Sequence, residues 1–142
     1  MPRVYLSGTD EGGIFLKKII RTDKAPAALG PYSQAVMTEG SRTLFLSGQI
    51  PLDPKTMEVV GKSAGEQCQK VMDNMGQILR AAGADFSNIV KTTIYLADIE
   101  DFGPVNAMYA TYFDVDPPAR ATVEASRLPK DVKLEIDAIA VL

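Results

Sequence analysis

The chain has 142 residues, of which 46% are hydrophobic and 23% are charged, and its formal net charge is -3. These values are typical of one globular domain and argue against a nucleic-acid binder, which usually presents a basic face. The sequence contains no histidine, which excludes Ser-His-Asp triads, histidine general bases and most catalytic zinc sites. The single cysteine excludes an internal disulfide and suits a reducing, cytoplasmic compartment.

No apolar run reaches the roughly 20 residues that a bilayer-spanning helix needs. We therefore expect no membrane segment. Residues 1–15 differ from the rest because they contain three glycines and show no sustained hydrophobic period. We interpret them as a flexible or artificially added N-terminal extension rather than a functional arm. Residues 16–142 then form the functional domain.

The domain begins with a pattern of short strands. Strands are predicted over residues 16–21 and 34–39, and a turn containing Gly40 leads to a third strand over residues 43–47, which is expected to be the second arm of a hairpin. A loop interrupted by prolines follows over residues 50–61.

The clearest helix is predicted over residues 64–82, where apolar residues recur at helical spacing on one stripe. Gly83 is suited to end this helix because glycine readily adopts the left-handed conformation of a C-terminal cap. Cys68 belongs to the apolar stripe, so we interpret it as a core residue rather than a reactive thiol.

The second half of the chain alternates strands with one helix. A strand over residues 89–97 is rich in β-branched side chains, and a helix over residues 101–113 follows with Asp101 as its N-cap. Two further strands are predicted over residues 120–126 and 133–142. The order of elements indicates an α+β fold.

Strand alternation assigns side chains to faces of the sheet. In the last strand Glu135 and Asp137 share the face opposite the apolar residues. In the strand before it Arg120, Thr122 and Glu124 share one face, and the small apolar residues Ala121, Val123 and Ala125 share the other, which is expected to face the helices. We therefore expect Arg120 and Glu135 on the sheet face away from the helices. Periodicity alone leaves open a plain cross-strand ion pair, which would contribute roughly 0–1 kcal/mol.

The same outward face is expected to carry apolar residues that would be poorly placed in water: Val36, Phe45, Ile139 and Val141. An apolar surface beside charged groups is typical of a subunit interface. The pattern therefore predicts a homo-oligomer with sites near its interfaces.

Six sequence blocks follow one another along residues 16–142: GPYSQA from Gly30, LSGQIP from Leu46, KTTIY from Lys91, VNAMY from Val105, PAR from Pro118, and VEASRLP from Val123, the last followed by LEIDAIA from Leu134. In this order and spacing they resemble the reactive intermediate deaminase family, known as RidA or YjgF-like proteins. A single block could arise by chance, whereas six at family spacing make the resemblance specific.

The resemblance implies a chorismate-mutase-like α+β fold, with a mixed six-stranded sheet that carries two helices on one face. It also implies a homotrimer with a cleft between adjacent subunits. The implied activity is hydrolysis of 2-imino acids, such as 2-iminopropanoate and 2-iminobutanoate, to 2-oxo acids and ammonia. This reaction uses no cofactor and no metal.

Two residues take catalytic roles in the resemblance. Arg120 matches the arginine that binds the substrate carboxylate, for which a guanidinium fork with two parallel N–H donors is suited. Glu135 matches the glutamate that directs the attacking water and transfers its proton. Tyr32 matches the aromatic wall and hydroxyl above the substrate, although a tyrosine after Gly-Pro is also a common loop anchor.

Four more residues match positions that line the substrate cleft. Ser47 and Gly48 correspond to a hydroxyl and a backbone position, and Asn106 corresponds to a polar cleft residue. Thr122 stands where many relatives have cysteine, which is a mild departure because the family contact there is made largely by the backbone. Taken alone, Ser47-Gly48 is also typical of a turn at a strand end.

Two other functions remain open from the sequence. One is a non-enzymatic trimer that binds 2-oxo acids or acts like a chaperone. The other is a ribonuclease or translation inhibitor, an activity attributed to some relatives, with which the acidic charge and the missing histidines conflict.

Overall fold

A computed structural model of the protein describes residues 4–9, 15–40 and 42–142, with side chains from Lys17 onward. Its strands are β1 (Val4–Thr9), β2 (Phe15–Ile20), β3 (Ala35–Thr38), β4 (Thr43–Gln49), β5 (Ile89–Leu96), β6 (Ala119–Glu124) and β7 (Leu134–Val141). The α-helices are α1 (Ala64–Ala81) and α2 (Phe102–Ala110), and short 3-10 helices span Phe86–Asn88, Ile99–Asp101 and Pro129–Asp131.

The strands form two sheets. One is antiparallel, in the order β1-β2-β3, and the other is mixed, in the order β4-β7-β5-β6 with β5 and β6 parallel. The α+β class with two helices and a mixed sheet is thus confirmed, but the expected single six-stranded sheet is replaced by sheets of three and four strands. The division lies between β3 and β4, because β3 pairs with β2 and β4 pairs with β7, and the hairpin expected around Gly40 forms no ladder between them.

Residues 4–9, for which we expected no regular element, form β1 and pair antiparallel with β2 in the register Val4↔Ile20. The interpretation of residues 1–15 as a flexible or artificially added extension stays a prediction. A strand can form here without a sustained hydrophobic period because its backbone hydrogen bonds are made to a neighbouring strand. The boundary of the functional domain at residue 16 stays a prediction.

Helix α1 forms as its sequence predicts. Ser63 and Glu66 make a reciprocal capping box at the N-terminus, where the Ser63 hydroxyl accepts from the Glu66 N–H and the Glu66 carboxylate accepts from the Ser63 N–H. Gly83 has a φ of +77° and ends the helix with a Schellman motif. Cys68 is fully buried, and burial raises the pKa of its thiol to about 12, which confirms its place in the core.

Helix α2 is shorter than expected at both ends, since Asp101 belongs to the 3-10 turn Ile99–Asp101 and the α-helix ends at Ala110 rather than at residue 113. Asp101 holds the N-cap position without a side-chain capping bond, whereas Asp98 accepts a hydrogen bond from the Glu100 N–H and caps the 3-10 turn. None of the helices in the part of the chain that the structure describes is long and apolar enough to cross a membrane.

Both helices cover one face of the four-stranded sheet. The face of β7 that the alternation assigns to the core is confirmed, since Leu134, Ile136, Ala138 and Ala140 are at most 3% exposed. They pack with Ile94 and Leu96 of β5 and with the apolar stripe of α1. This layer fixes which way every side chain of the sheet points, including those of the candidate site.

Candidate active site

Arg120 lies on the helix-facing side of the sheet. Its strand β6 runs parallel to β5 and pairs Arg120 with Thr92, a residue that is 0% exposed and faces α2. Glu135 pairs with Tyr95 of the same strand and therefore faces the opposite way. The expectation that Arg120 and Glu135 share the outward face is wrong, because Ala121 and Val123 of β6, which we placed toward the helices, occupy that face instead.

Aromatic rings surround the Arg120 guanidinium. Its central carbon lies 5.3 Å from the ring centroid of Tyr32, 5.5 Å from that of Phe102 and 5.1 Å from that of Tyr109. Nη1 donates a hydrogen bond of 2.7 Å to Oδ1 of Asn106. We call these four residues the arginine cage. Stacking over neutral rings stabilises a guanidinium without neutralising its charge.

The charge of Arg120 is left open to an anion. Burial lowers the pKa of this guanidinium from its usual value, and the nearby Tyr109 and Tyr32 oppose that shift. Among the described residues, the ion pair within 4 Å joins Arg127 to Asp131, and no carboxylate lies that close to Arg120. A half-buried cation without a carboxylate partner is a candidate binding site for a small anion.

Helix α2 supplies three members of the cage from one stripe. Phe102, Asn106 and Tyr109 follow one another at spacings of four and three residues, so their side chains share one side of the helix. The Tyr109 hydroxyl lies 2.8 Å from Oγ1 of Thr92, and both residues are fully buried. This bond fixes the helix over β5 and thereby fixes the cage.

Tyr32 is held over Arg120 by the residues that follow it. The backbone N–H of Ser33 donates to the Pro118 carbonyl at 3.0 Å, and the Ser33 hydroxyl donates to the Pro117 carbonyl. The Gln34 amide nitrogen donates to the Pro26 carbonyl at 2.7 Å. Ser33 and Gln34 are therefore positioning residues of the GPYSQA block, a role that the sequence analysis did not assign.

Glu135 lies on the outward face beside a β-bulge. The register of β4 against β7 shifts between Leu46 and Gln49, which leaves one extra residue on β4. A Cβ on Gly48 would lie 2.8 Å from both Cδ and Oε1 of Glu135. Only glycine lets the backbone approach the carboxylate this closely, and Ser47 is exposed next to it.

The outward face also carries polar and apolar neighbours of Glu135. The Tyr95 hydroxyl donates to Oδ2 of Asp137 at 3.1 Å, and this bond raises the pKa of Tyr95. Phe45 is 73% exposed and Val123 is 45% exposed on the same face. Of the apolar residues expected there, Val141 is instead buried.

The structure therefore sorts the predicted site residues into two groups. Tyr32 and Asn106 accompany Arg120, while Gly48 and its neighbour Ser47 accompany Glu135. The pairing partners of Arg120 and Glu135 are three residues apart along β5, about 10 Å, and the two side chains point to opposite faces. One small molecule cannot contact both within a single chain.

Thr122 belongs to the Arg120 side. It pairs with the buried Ile94, two residues along β6 from Arg120. Its Oγ1 is buried and has no hydrogen-bond partner in the part of the chain that the structure describes. Buried hydroxyls nearly always have a partner in native proteins, so this oxygen has an unused hydrogen bond to offer.

Phe102 and Tyr109 also belong to the candidate site, and we assigned them no role from the sequence. Their spacing around Asn106 carried the missing signal, because a polar residue between two aromatic residues on one helix stripe marks a mixed surface. The described residues contain no group of three or more cysteine, aspartate or glutamate side chains arranged to hold a metal ion.

The chain is similar to known proteins over most of its length. Residues 22–142 match the profile of a family described as Endoribonuclease L-PSP. Protein DfrA of Myxococcus xanthus is 54% identical over 88% of this chain and 95% of its own. The 2-iminobutanoate/2-iminopropanoate deaminase of Rattus norvegicus is 51% identical over 89% and 90%.

A solved structure shares the fold. The crystal structure of E. coli TdcF with bound serine has a TM-score of 0.67 and 42% sequence identity, and the match covers 87% of this chain and 98% of that one. The likeness extends over most of both chains.

Proposed function

The chain belongs to the RidA/YjgF family, and from this premise we propose that it is an enzyme that hydrolyses 2-imino acids to 2-oxo acids and ammonia. The observation that carries the proposal is the arginine cage, which presents a half-buried, uncompensated guanidinium to a small carboxylate. Relatives named 2-iminobutanoate/2-iminopropanoate deaminase, about half identical to this chain, support the substrate class.

Arg120 anchors the substrate. Asn106 takes one N–H of the guanidinium, and the other donors are available to a carboxylate in the parallel geometry that arginine favours. Tyr32 covers the substrate from the loop side, and the unused Thr122 hydroxyl lies on the same side of the sheet to accept or donate one more bond. A neutral aromatic surround adds no competing anion to this site.

Glu135 directs the water. The water oxygen adds to the electrophilic imine carbon while the carboxylate takes a water proton, which then passes to the nitrogen. The proton of the new hydroxyl group then also moves to the nitrogen, the C–N bond breaks, ammonia leaves, and the carbonyl of the 2-oxo acid forms. Most of the acceleration comes from holding the two reactants together. In a chain without histidine a carboxylate is the natural group for this proton transfer.

The complete site lies between two copies of the chain. Arg120 and Glu135 of one chain face opposite ways, about 10 Å apart along β5, so Glu135 of a neighbouring copy completes the site around Arg120. Ser47 and Gly48 come with that Glu135 and line the cleft. The exposed Phe45 and Val123 give the outward face an apolar surface to bury against the neighbour. A closed ring of three subunits gives three such clefts.

Subunit complementation tests this arrangement. Arg120→Ala and Glu135→Gln are each expected to lose activity, but their co-expression creates clefts in which an intact Arg120 meets an intact Glu135. For random mixing in a closed ring of three, each mixed trimer has one wild-type cleft, so activity returns to about a quarter of the wild-type value. The imine is produced by a threonine dehydratase, and its loss is followed by ammonia release and semicarbazide interception.

The matched control places both substitutions in one chain and mixes it with the Arg120→Ala chain, which creates no wild-type cleft. Failure to recover activity in verified mixed oligomers of the first pair would contradict a shared cleft. Inactivity of the unmutated protein in the same assay would contradict the enzyme itself and favour a trimer that binds 2-oxo acids without turnover. RNA cleavage that survives Arg120→Ala would point to a nuclease surface elsewhere.

The compartment we propose is the cytoplasm. Cys68 is the single cysteine and is buried in the core, which is compatible with a reducing environment.

A further inference from the structure

A second cation, Lys17, lines a cavity elsewhere in the molecule. This cavity shares no residue with the arginine cage or with the Glu135 group, which consists of Glu135, Ser47 and Gly48. The cavity measures about 380 Å³ and lies between β2, the turn Phe86–Asn88 and the segment that follows α2. This volume falls within the range of small-molecule sites, roughly 300–1,000 Å³. The hydrolysis proposed above does not involve this cavity, and neither does the outward sheet face that we propose as the subunit interface.

Lys17 supplies the positive charge of this cavity. It is 8% exposed, and its Nζ donates a hydrogen bond of 2.9 Å to the Ile89 carbonyl. Burial lowers the pKa of Lys17 to about 8, and the Asp116 carboxylate opposes that shift. An ammonium has three donors, of which a described residue accepts one. A carboxylate in the cavity would accept the others and offset the cost of burying the charge.

Two carboxylates and an aromatic wall complete the lining. Asp114 is exposed and Asp116 is half-buried, and both border the cavity. The ring centroid of Phe86 lies 5.1 Å from that of Tyr112 and 5.8 Å from that of Phe113, so the three rings form one wall. The cavity thus offers a positive charge to an anionic group of a ligand and negative charges to a cationic group. It also offers an apolar surface to the rest of the ligand.

We propose that this cavity binds a free α-amino acid with an apolar side chain. The amino acid carboxylate meets Lys17, its ammonium meets Asp116 and Asp114, and its side chain lies against Phe86 and Tyr112. A ligand with only a carboxylate would leave the two aspartates facing its negative charge, and a ligand with only an amine would leave the remaining Lys17 donors without a carboxylate acceptor. The zwitterion satisfies both ends, so the cavity distinguishes amino acids from the 2-oxo acids that lack the amine.

Three probes of one shape test this charge pattern: L-phenylalanine, 3-phenylpropanoate and 2-phenylethylamine. Isothermal titration uses the full chain carrying Arg120→Ala, so that the cage cannot bind a carboxylate. L-Phenylalanine is expected to bind at least about tenfold more tightly than either probe that lacks one charge, as expected for the loss of one charge-assisted hydrogen bond. Equal binding of all three, or no binding of L-phenylalanine, would overturn the proposal.

Two further substitutions separate the two ends of the ligand. Lys17→Met is expected to weaken L-phenylalanine and 3-phenylpropanoate alike. Asp116→Asn is expected to weaken L-phenylalanine but not 3-phenylpropanoate. Asparagine tolerates the left-handed backbone that Asp116 adopts, with a φ of 48°, so this variant keeps the fold and decides the question even if Lys17→Met does not fold. Unchanged L-phenylalanine binding in Asp116→Asn would remove the cavity as the site.

Discussion

The arginine cage and the Glu135 group lie on opposite faces of the same sheet and are built in different ways. Arg120 is held from several directions by three rings and an amide, and the rings themselves are tied down by the Tyr109–Thr92 and Ser33–Pro118 hydrogen bonds. Glu135 lies on an open face, where Gly48 leaves it room. In the proposed function the substrate anchor is therefore organised within one chain, whereas the water-directing group acts only after assembly.

The largest effect is expected from Arg120→Ala, which removes the anchor and leaves the cage empty. We expect kcat/KM for 2-iminobutanoate to fall on the order of 10³-fold, which is the scale of breaking one partner of a buried charge pair. Arg127 is the matched control, because its ion pair with Asp131 is exposed and its replacement by alanine is expected to leave kcat/KM unchanged. Comparable losses of kcat/KM in both variants would show that the overall positive charge of the protein, and not the arginine cage, binds the substrate.

Glu135→Gln is expected to show a different kinetic pattern. It keeps the shape of the side chain and removes its basicity, so kcat should fall about 10²-fold or more while KM stays close to wild type. Arg120 variants, by contrast, should raise KM as well, since they remove ground-state binding. Asp137→Asn, two residues along the same side of β7, serves as the control. A rise in KM with unchanged kcat in Glu135→Gln would reverse the roles assigned to the two faces.

Gly48→Ala tests the open face without touching a charge. The new methyl group would lie 2.8 Å from the Glu135 carboxylate and must displace it, so we expect kcat to fall about tenfold, the scale of a small misplacement of a reacting group. Gly103→Ala is the control, because nothing lies within 4 Å of its added Cβ. Wild-type kcat in a folded Gly48→Ala protein would show that the Glu135 position tolerates movement.

The smallest effect on activity is expected at the base of the cage. Tyr109→Phe and Thr92→Val each leave one buried hydroxyl without its partner, and each should lower the free energy of unfolding by about 1–3 kcal/mol. The double variant removes both hydroxyls and should cost less than the sum of the single variants. Urea unfolding measures all three. Additive losses would mean that the 2.8 Å contact contributes no coupling.

Local patterns predicted the elements well, while the faces of strands depended on partners far along the chain. The stripe of α1, its capping box and Gly83 are local signals, and the structure follows them. The inward face of β7 is equally clear, because five apolar residues alternate along it. Strand β6 carries no such signal.

The face of Arg120 could not be read from its own strand. Alternation divides β6 into two faces but does not say which one meets the helices, and small apolar residues suggested the wrong one. The pairing of Arg120 with Thr92 of β5 decides which face of β6 meets the helices. The whole of helix α2 lies between these two residues in the sequence. The division of the site between the two faces was hidden for the same reason, since the resemblance names the residues without their orientation.

The β-bulge of β4 also sets the phase of its strand. Leu46 pairs with Ala138 and Gln49 pairs with Ile136, so three steps on β4 match two steps on β7. Removing one residue here would restore a regular ladder and move the Gly48 backbone away from Glu135. Paired residues share a face of the sheet, so the residues beyond the deletion would keep their faces and the loss would fall on the contact between Gly48 and Glu135. The length of this segment is therefore under as strict a constraint as its composition, and single-residue insertions or deletions between Leu46 and Gln49 should be tolerated less well than substitutions of Ser47.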